Sequence, residues 1–337
     1  MASRRLALVT GATGLVGSYL VEQLLADGWG VRALVRDLAA TDWLSRMGAE
    51  CTRGDILNAT SVAHAAAGCH TIFHAAALVT PHGGWEVFRR ANVDGTANVI
   101  RAATESGARL LHVSSVAVYG AAARFSSTPT DEDVPFSPLP HHAFYARSKR
   151  EAEESVLEAH ARGTIWATTV RPDVIYGKRD RQFVPRVARV LRHGIAPLIG
   201  GGGTTLAIVH AANVADGAVR AAAFDQAGGR AYNLANDYDV TVKEFFQLAG
   251  LGLGVRVRLV PVPLSLARAG LRLAGLSIAV VKGPALAAQA AGTFSFLTRD
   301  NPFSSDRARR ELAWSPPMKS DVGIPEAFRS WREAGHK

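Results

Sequence analysis

A doubly wound parallel α/β sheet with a smaller second lobe is the fold this sequence predicts, on three observations. Short apolar runs alternate with helix-period segments for about 110 residues from the N-terminus. A glycine turn, Thr10-Gly11-Ala12-Thr13-Gly14-Leu15-Val16-Gly17, joins the first apolar run to the first helical segment. Gly11, Asp55, Ala75 and Ser115 all fall at the C-terminal ends of apolar runs, where ligands bind in open parallel sheets.

The elements follow from the pattern. Residues 6–9 read as a buried strand and 15–25 as the first helix, with glycines between them that let the backbone approach a pyrophosphate at the helix N-terminus. The spacing is GxxGxxG, a modified form of the GxGxxG fingerprint, and glycines also serve ordinary turns. Further strands are expected at 30–35, at 49–52 running on to 54–56, at 71–77 and at 110–115, with helices at 61–67 and 85–106. A polar loop at 126–140, a helix at 143–161 and a strand at 165–171 come next. Beyond Pro172 the alternation stops and Pro185, Pro197 and Gly200 to Gly203 crowd in. The expected division is therefore a cofactor domain over 1–171 plus about 206–236, and a substrate lobe over about 172–205 and 237–337. Stretches 207–210 and 231–234 are expected to return to the sheet.

Composition bounds the function. With 337 residues, 48% hydrophobic and 20% charged, the chain is globular and long enough for two domains. Cys51 and Cys69 offer neither a disulfide framework nor metal spacing, so a reduced, cytoplasmic setting without a metal is expected. Ser3-Arg4-Arg5 runs straight into the first strand, so no secretory signal is expected. The net charge of +9 favours anionic partners such as phosphorylated cofactors or acidic membrane surfaces. An arginine- and alanine-rich composition gives the same charge without any partner, and no nucleic-acid partner is expected. No spanning helix is expected either, since the nearest candidate, 283–298, is short and broken by Pro284 and Gln289.

Tyr145 and Lys149 are four apart on the expected helix and share a face. A phenol titrates too high to act as a base at neutral pH, and a nearby ammonium favours the phenolate. Ser115 at a strand end supplies a hydroxyl that would hold a substrate oxygen beside Tyr145. A Tyr-Lys pair at this spacing also arises on ordinary solvated helices; the glycine turn and the Ser114-Ser115 strand end favour chemistry. His70 and His74 share a strand face, but no acid or cysteine completes a metal site. His141 and His142 are loop residues ahead of Tyr145, and Arg186, Arg189 and Arg192 form a basic stripe that suits an anionic group or plain solvent.

With these motifs in order, TGATGLVG at 10–17, GDI at 54–56, HAAAL at 74–78, NVDGTANVI at 92–100, VSSVAVYG at 113–120, YARSK at 145–149 and RPDVIYG at 171–177, the chain resembles the extended short-chain dehydrogenase/reductases. The resemblance implies a Rossmann fold, Tyr145 as general acid/base, Lys149 lowering its pKa and holding the cofactor ribose, and Ser115 orienting the substrate. It implies Asn92 as the helix asparagine supporting the lysine through water. The cofactor would be held by Gly11, Thr13, Gly14, Leu15, Val16, Gly17, Asp55, Ile56, Ala75, Ala76, Ala77, Ser114, Tyr145, Lys149, Pro172 and Val174. Relatives that prefer NAD carry an acid where this chain has Val35; Arg36 follows it, as in dihydroflavonol reductase-like members, so NADP(H) is favoured over NAD(H), with Asp37 the contrary sign. Stretches 171–194 and 298–316 resemble the 3β-hydroxysteroid and sterol-4α-carboxylate dehydrogenases, which implies an alcohol or ketone on a bulky apolar substrate. Segment 264–297, Leu-, Ala- and Val-rich with Arg268, Arg272 and Lys282 its charges, would line such a pocket, lie peripherally on a membrane, or pack as an ordinary helix. Helices 85–106 and 143–161 would pair in a homodimer, as in many relatives. Nucleotide-sugar epimerisation or dehydration, which uses the same Ser-Tyr-Lys set, and a non-catalytic NADP sensor stay open as alternatives.

Overall fold

In a computed structural model, which describes residues 5–39, 41–79, 83–120, 129–235, 237–271 and 294–335, the apolar runs pair as strands. They are β1 (Leu6–Thr10), β2 (Gly30–Val35), β3 (Glu50–Arg53), β4 (Thr71–His74), β5 (Arg109–Val113) and β6 (Ala167–Pro172). Then follow β7 (Val174–Tyr176), β8 (Ile195–Ile199), β9 (Ile208–His210), β10 (Ala231–Leu234) and β11 (Arg258–Val262). One seven-stranded sheet runs β10-β6-β5-β4-β1-β2-β3, every pairing parallel. Chain order reverses between β1 and β4, the switch point at which such sheets open a crevice for ligands.

The helices are α1 (Leu15–Ala26), α2 (Asp42–Arg46), α3 (Ala59–Ala66), α4 (Trp85–Phe88), α5 (Gly95–Ser106) and α6 (Phe144–Ala161). After them come α7 (Phe183–Leu191), α8 (Ala211–Ala223), α9 (Val242–Leu253), α10 (Asp306–Leu312) and α11 (Ser320–Glu333). Leu8, Ile72 and Leu110 point to one face of the sheet and pack with Val62 of α3, Val99 of α5 and Val156 of α6. Their neighbours Val9, Phe73 and Leu111, equally buried, point to the other face by strand alternation, which α1 and α8 cover. Burial on both faces is what a parallel sheet requires and why its strands read as continuous apolar runs.

Several expectations are corrected. The helix expected at 85–106 is continuous in those bounds but winds as a π-helix over Arg89–Asp94, between α4 and α5, and such turns commonly mark functional sites. Stretch 231–234 enters the sheet as β10, but β9 at 208–210 lies outside it. The strand expected at 165 begins at 167.

The chain forms two compact units. The first is 1–175, 211–235 and 303–317. Segment 303–317, read from sequence as lobe, belongs there because its side chains fill gaps in the sheet domain. Ser305 Oγ accepts from Ala235 N (3.1 Å), Trp314 Nε1 donates to Asn213 O (3.1 Å), and Phe303 stacks on Tyr119. The second unit is 176–210, 236–302 and 318–337. Within it α9 packs on α11, started by a capping box between Thr241 and Glu244, and β8 pairs in parallel with β11. Of segment 264–297, residues 272–293 lie outside the described residues, as do 126–128 of the polar loop. Among the described residues no helix is long and apolar enough to cross a membrane.

Candidate active site

The glycine turn is built as its sequence requires. Gly11 has φ +70°, a conformation glycine adopts at no steric cost, and its carbonyl accepts from Gly14 N at 2.8 Å. A Cβ on Gly17 would lie 2.1 Å from Gly11 O, so only glycine lets α1 start this close to β1. Replacing Gly17 with Ala is expected to cost about 1–3 kcal/mol of stability through overpacking and to weaken cofactor binding. Denaturant unfolding and dinucleotide fluorescence titration of the variant check both. Thr13 and Leu15 are half-buried, Gly14 is exposed and Val16 is buried. No side chain caps α1 and no acid sits in its first turn, so its amide N–H groups and positive end suit an anion.

Around the switch point the strand register sets Thr10, His74 and His112 in a row. Ala75 N donates to Thr10 O (3.2 Å) and Ala76 N reaches Thr10 Oγ1 (3.4 Å), which lays Ala75, Ala76 and Ala77 along the glycine turn. Asp55 Oδ1 accepts from Leu57 N (2.9 Å), and Asn98 Nδ2 holds Ile56 O (2.9 Å). At the end of β2, Asp37 Oδ1 accepts from Ala39 N (3.0 Å). Arg36 is exposed and has no side-chain partner among the described residues. Pro172 closes β6 and Val174 opens β7.

The residues expected to react lie just after β5 and on α6. Ser115 is extended and caps the short turn Val116–Tyr119, its Oγ accepting from Ala117 N (3.2 Å). The same hydroxyl lies by the Tyr145 phenol and favours its anion. Burial raises the Tyr145 pKa and the nearby Ser115 hydroxyl opposes the rise, so the phenol is protonated at neutral pH. Lys149 turns its Nζ to Val113 O (2.6 Å) and His112 Nε2 (3.2 Å). Burial brings its pKa down to about 7 against the attraction of Glu153. The lysine thus reaches the strand end rather than the phenol, and the phenol pKa is raised rather than lowered. Ser114 Oγ, buried beside them, has no hydrogen-bond partner among the described residues, as expected of a group that meets a ligand.

Asn92 sits in the π-helical turn. Its Oδ1 accepts from Leu78 N (2.7 Å), and its Nδ2 donates to Leu78 O (3.1 Å) and Ser148 Oγ (2.9 Å). Ser148 Oγ in turn donates to Tyr145 O (2.9 Å). Asn92 therefore braces the Tyr145 turn of α6 directly through the residue beside Lys149.

Sequence reading missed three groups. His112, in register with His74, approaches Lys149, and burial with the Lys149 charge keeps both imidazoles neutral, His74 down at about 3. Thr96 Oγ1 donates to Asn92 O (2.6 Å), so His74 Nε2 must donate to Thr96 (3.0 Å) and Nδ1 accept from Thr10 (2.7 Å). Glu153 and Arg171 form a buried pair, Nε to Oε1 3.0 Å, extended by Arg171 Nη1 to Tyr119 Oη at 2.6 Å. His74 and His112 each precede the strand end expected from sequence, 77 and 115, by three residues, a usable signal; the ion pair, 18 residues apart on a helix and a strand, left none.

The model of the NAD dependent epimerase/dehydratase family matches residues 7–235. A 4-hydroxy-2-methyl-3-oxo-4-farnesyl-3,4-dihydroquinoline-1-oxide ketoreductase of Stigmatella aurantiaca is 32% identical over 97% of this chain and 96% of its own. Bos taurus sterol-4-alpha-carboxylate 3-dehydrogenase, decarboxylating, is 32% identical over 72% of this chain and 69% of its own. The solved structure of MoeE5 in complex with UDP-glucose and NAD superposes with a TM-score of 0.71 at 23% identity, over 97% of this chain and 99% of that one, a likeness of fold. Sheet order, glycine turn and family match agree: the chain belongs to the NAD dependent epimerase/dehydratase family, the extended short-chain dehydrogenase/reductases, and is an oxidoreductase of that family.

Proposed function

We propose that this protein interconverts a ketone and a secondary alcohol on a bulky, largely apolar substrate, with NADP(H) as its preferred cofactor. The placement of the Ser115 hydroxyl beside the buried, protonated Tyr145 phenol carries the reading. It is the arrangement that receives a carbonyl oxygen, one hydroxyl holding it while the other delivers a proton. Two relatives support the substrate class, since their names specify a farnesylated quinoline oxide and a sterol carboxylate.

The cofactor's place fits this chain's residues. The pyrophosphate would lie on the uncapped start of α1, over Gly11, Thr13, Gly14, Leu15 and Val16, with the adenine at Asp55 and Ile56. Ala75, Ala76, Ala77, Ser114, Pro172 and Val174 would flank the rest, and Tyr145 and Lys149 the nicotinamide ribose. When bound, the nicotinamide supplies or accepts the hydride at the substrate carbon. Ser115 then steadies the oxygen, Tyr145 gives it a proton in reduction or removes one in oxidation, and Asn92 and Ser148 keep the Tyr145 turn of α6 in place.

Arg36 supports NADP(H) because it is exposed and without a side-chain partner among the described residues, whereas Asp37 already ties down its own turn. A charge-assisted hydrogen bond contributes about 1.5–3 kcal/mol, so Arg36→Ala is expected to weaken NADPH binding roughly ten- to hundred-fold and leave NADH unaffected. Fluorescence titration of both nucleotides against both proteins is the test. A preference for NADH that the substitution leaves alone overturns the assignment.

A further inference from the structure

The whole net charge lies in one unit. The second unit carries 17 Lys and Arg against 8 Asp and Glu, a net +9, while the first carries 21 of each. Two long stretches of that unit contain no acid at all, 181–210 and 245–299. Such segregation acts on anionic partners through the field it creates.

The β8–β11 pairing brings these two stretches together. Ile195 faces Arg258 and Pro197 faces Val260 across the ladder. Alternation buries Ala196 and Leu198, so Ile195, Pro197, Arg258 and Val260 form the outer face. Ile195 is 53% exposed and Val260 40%, with no element covering them among the described residues. The end of α7 exposes Arg189 and Val190, the turn entering β8 exposes Arg192 and His193, the turn entering β11 exposes Arg256, and the helical residues 264–271 after β11 expose Leu266 and Arg268. None of Arg189, Arg192, Arg256, Arg258 and Arg268 is ion-paired with an acid among the described residues. An apolar patch rimmed by arginines that have no acidic partner among the described residues, with no carboxylate on either strand or their flanks, has the chemistry of a surface that sits on lipid. Apolar side chains enter the headgroup boundary and guanidinium groups meet phosphate. Nucleic acid would match the arginines but leave Ile195, Pro197 and Val260 without a partner.

We infer that the outer face of β8 and β11, with its arginine rim, docks the protein peripherally on anionic lipid membranes. This rests on the exposed surface of the second unit alone and does not depend on the reaction assigned to the first.

Flotation of the full chain with vesicles of phosphatidylcholine, or of phosphatidylcholine mixed with phosphatidylglycerol, tests it. Wild type is expected to float with the anionic vesicles, to stay down with the neutral ones, and to be released by high salt. A basic residue near an anionic surface contributes about 1 kcal/mol. The triple variant Arg189→Gln, Arg192→Gln, Arg258→Gln should therefore bind about a hundred-fold more weakly. Ile195→Ser with Val260→Ser should weaken it about ten-fold or more, and both variants should melt like wild type because these side chains are exposed. Equal binding to neutral vesicles, no flotation at all, or undiminished binding by the triple variant overturns the inference. So does self-association that the serine pair abolishes without lipid, which assigns the face to a second copy. Binding to duplex DNA that the arginine variant loses and the serine pair keeps assigns it to nucleic acid instead.

Discussion

Tyr145→Phe is expected to lower turnover by about a hundred- to ten-thousand-fold, the usual range for removing a positioned proton donor, while dinucleotide binding persists. The ring stays, so α6 and its packing are preserved, and what is lost is the hydroxyl beside Ser115. The direction of the pH response follows from the same environment. Burial raises the phenol pKa, so the acid form needed for ketone reduction is present through neutral pH and is lost only as pH rises through that raised value. Alcohol oxidation needs the phenolate and gains over the same interval. Opposite pH limbs for the two directions in wild type, both flattened in the variant, are the expected pattern; steady-state rates in each direction measure it.

The second large effect is structural. Glu153→Ala is expected to destabilise the protein by about 3–5 kcal/mol, because it strands a buried charge. Glu153 is 1% exposed and Arg171 4%. Burial opposes the charge on Arg171, yet the Glu153 carboxylate and the Tyr119 hydroxyl hold its pKa above the ordinary arginine value. Tyr119 Oη passes the network to Asn233 Oδ1 (2.8 Å), and Asn233 N donates to Glu132 Oε1 (2.6 Å). Through this chain α6, which carries Tyr145 and Lys149, is pinned to β6 and β10. Loss of Glu153 therefore removes both the partner of Arg171 and the carboxylate that supports the charge on Lys149. Denaturant unfolding gives the cost, and Glu153→Gln, which keeps the shape and one hydrogen-bonding oxygen, should lose less. Near-equal stability of Glu153→Ala and wild type would mean that water reaches Arg171.

Much of this was legible in the chain. The β1–α1 turn, the strand ends at Asp55, Ala75 and Ser115, and the Tyr145–Lys149 spacing are local, so periodicity and glycine position reveal them. What sequence could not show is set by distant pairing. The π-helical turn that aims Asn92 at Ser148 interrupts an amphipathic pattern that still reads as one helix. Segment 303–317 enters the sheet domain through single contacts, Ser305 to Ala235 and Trp314 to Asn213, that no period announces. Lys149 was expected beside the phenol because four residues separate them, yet its long side chain reaches the carbonyl at the end of β5. Spacing fixes a shared helix face; the side chain's direction depends on which acceptors the neighbouring strand presents.

The most direct test of the proposed chemistry is isotopic. The protein would be incubated with NADPH deuterated at the transferring position and a bulky apolar ketone, and the product analysed by mass spectrometry. The account predicts deuterium on the carbinol carbon of the alcohol with wild type and its loss with Tyr145→Phe. Unlabelled product, or an enzyme that keeps its nucleotide through turnover and inverts a nucleotide sugar instead, would contradict it.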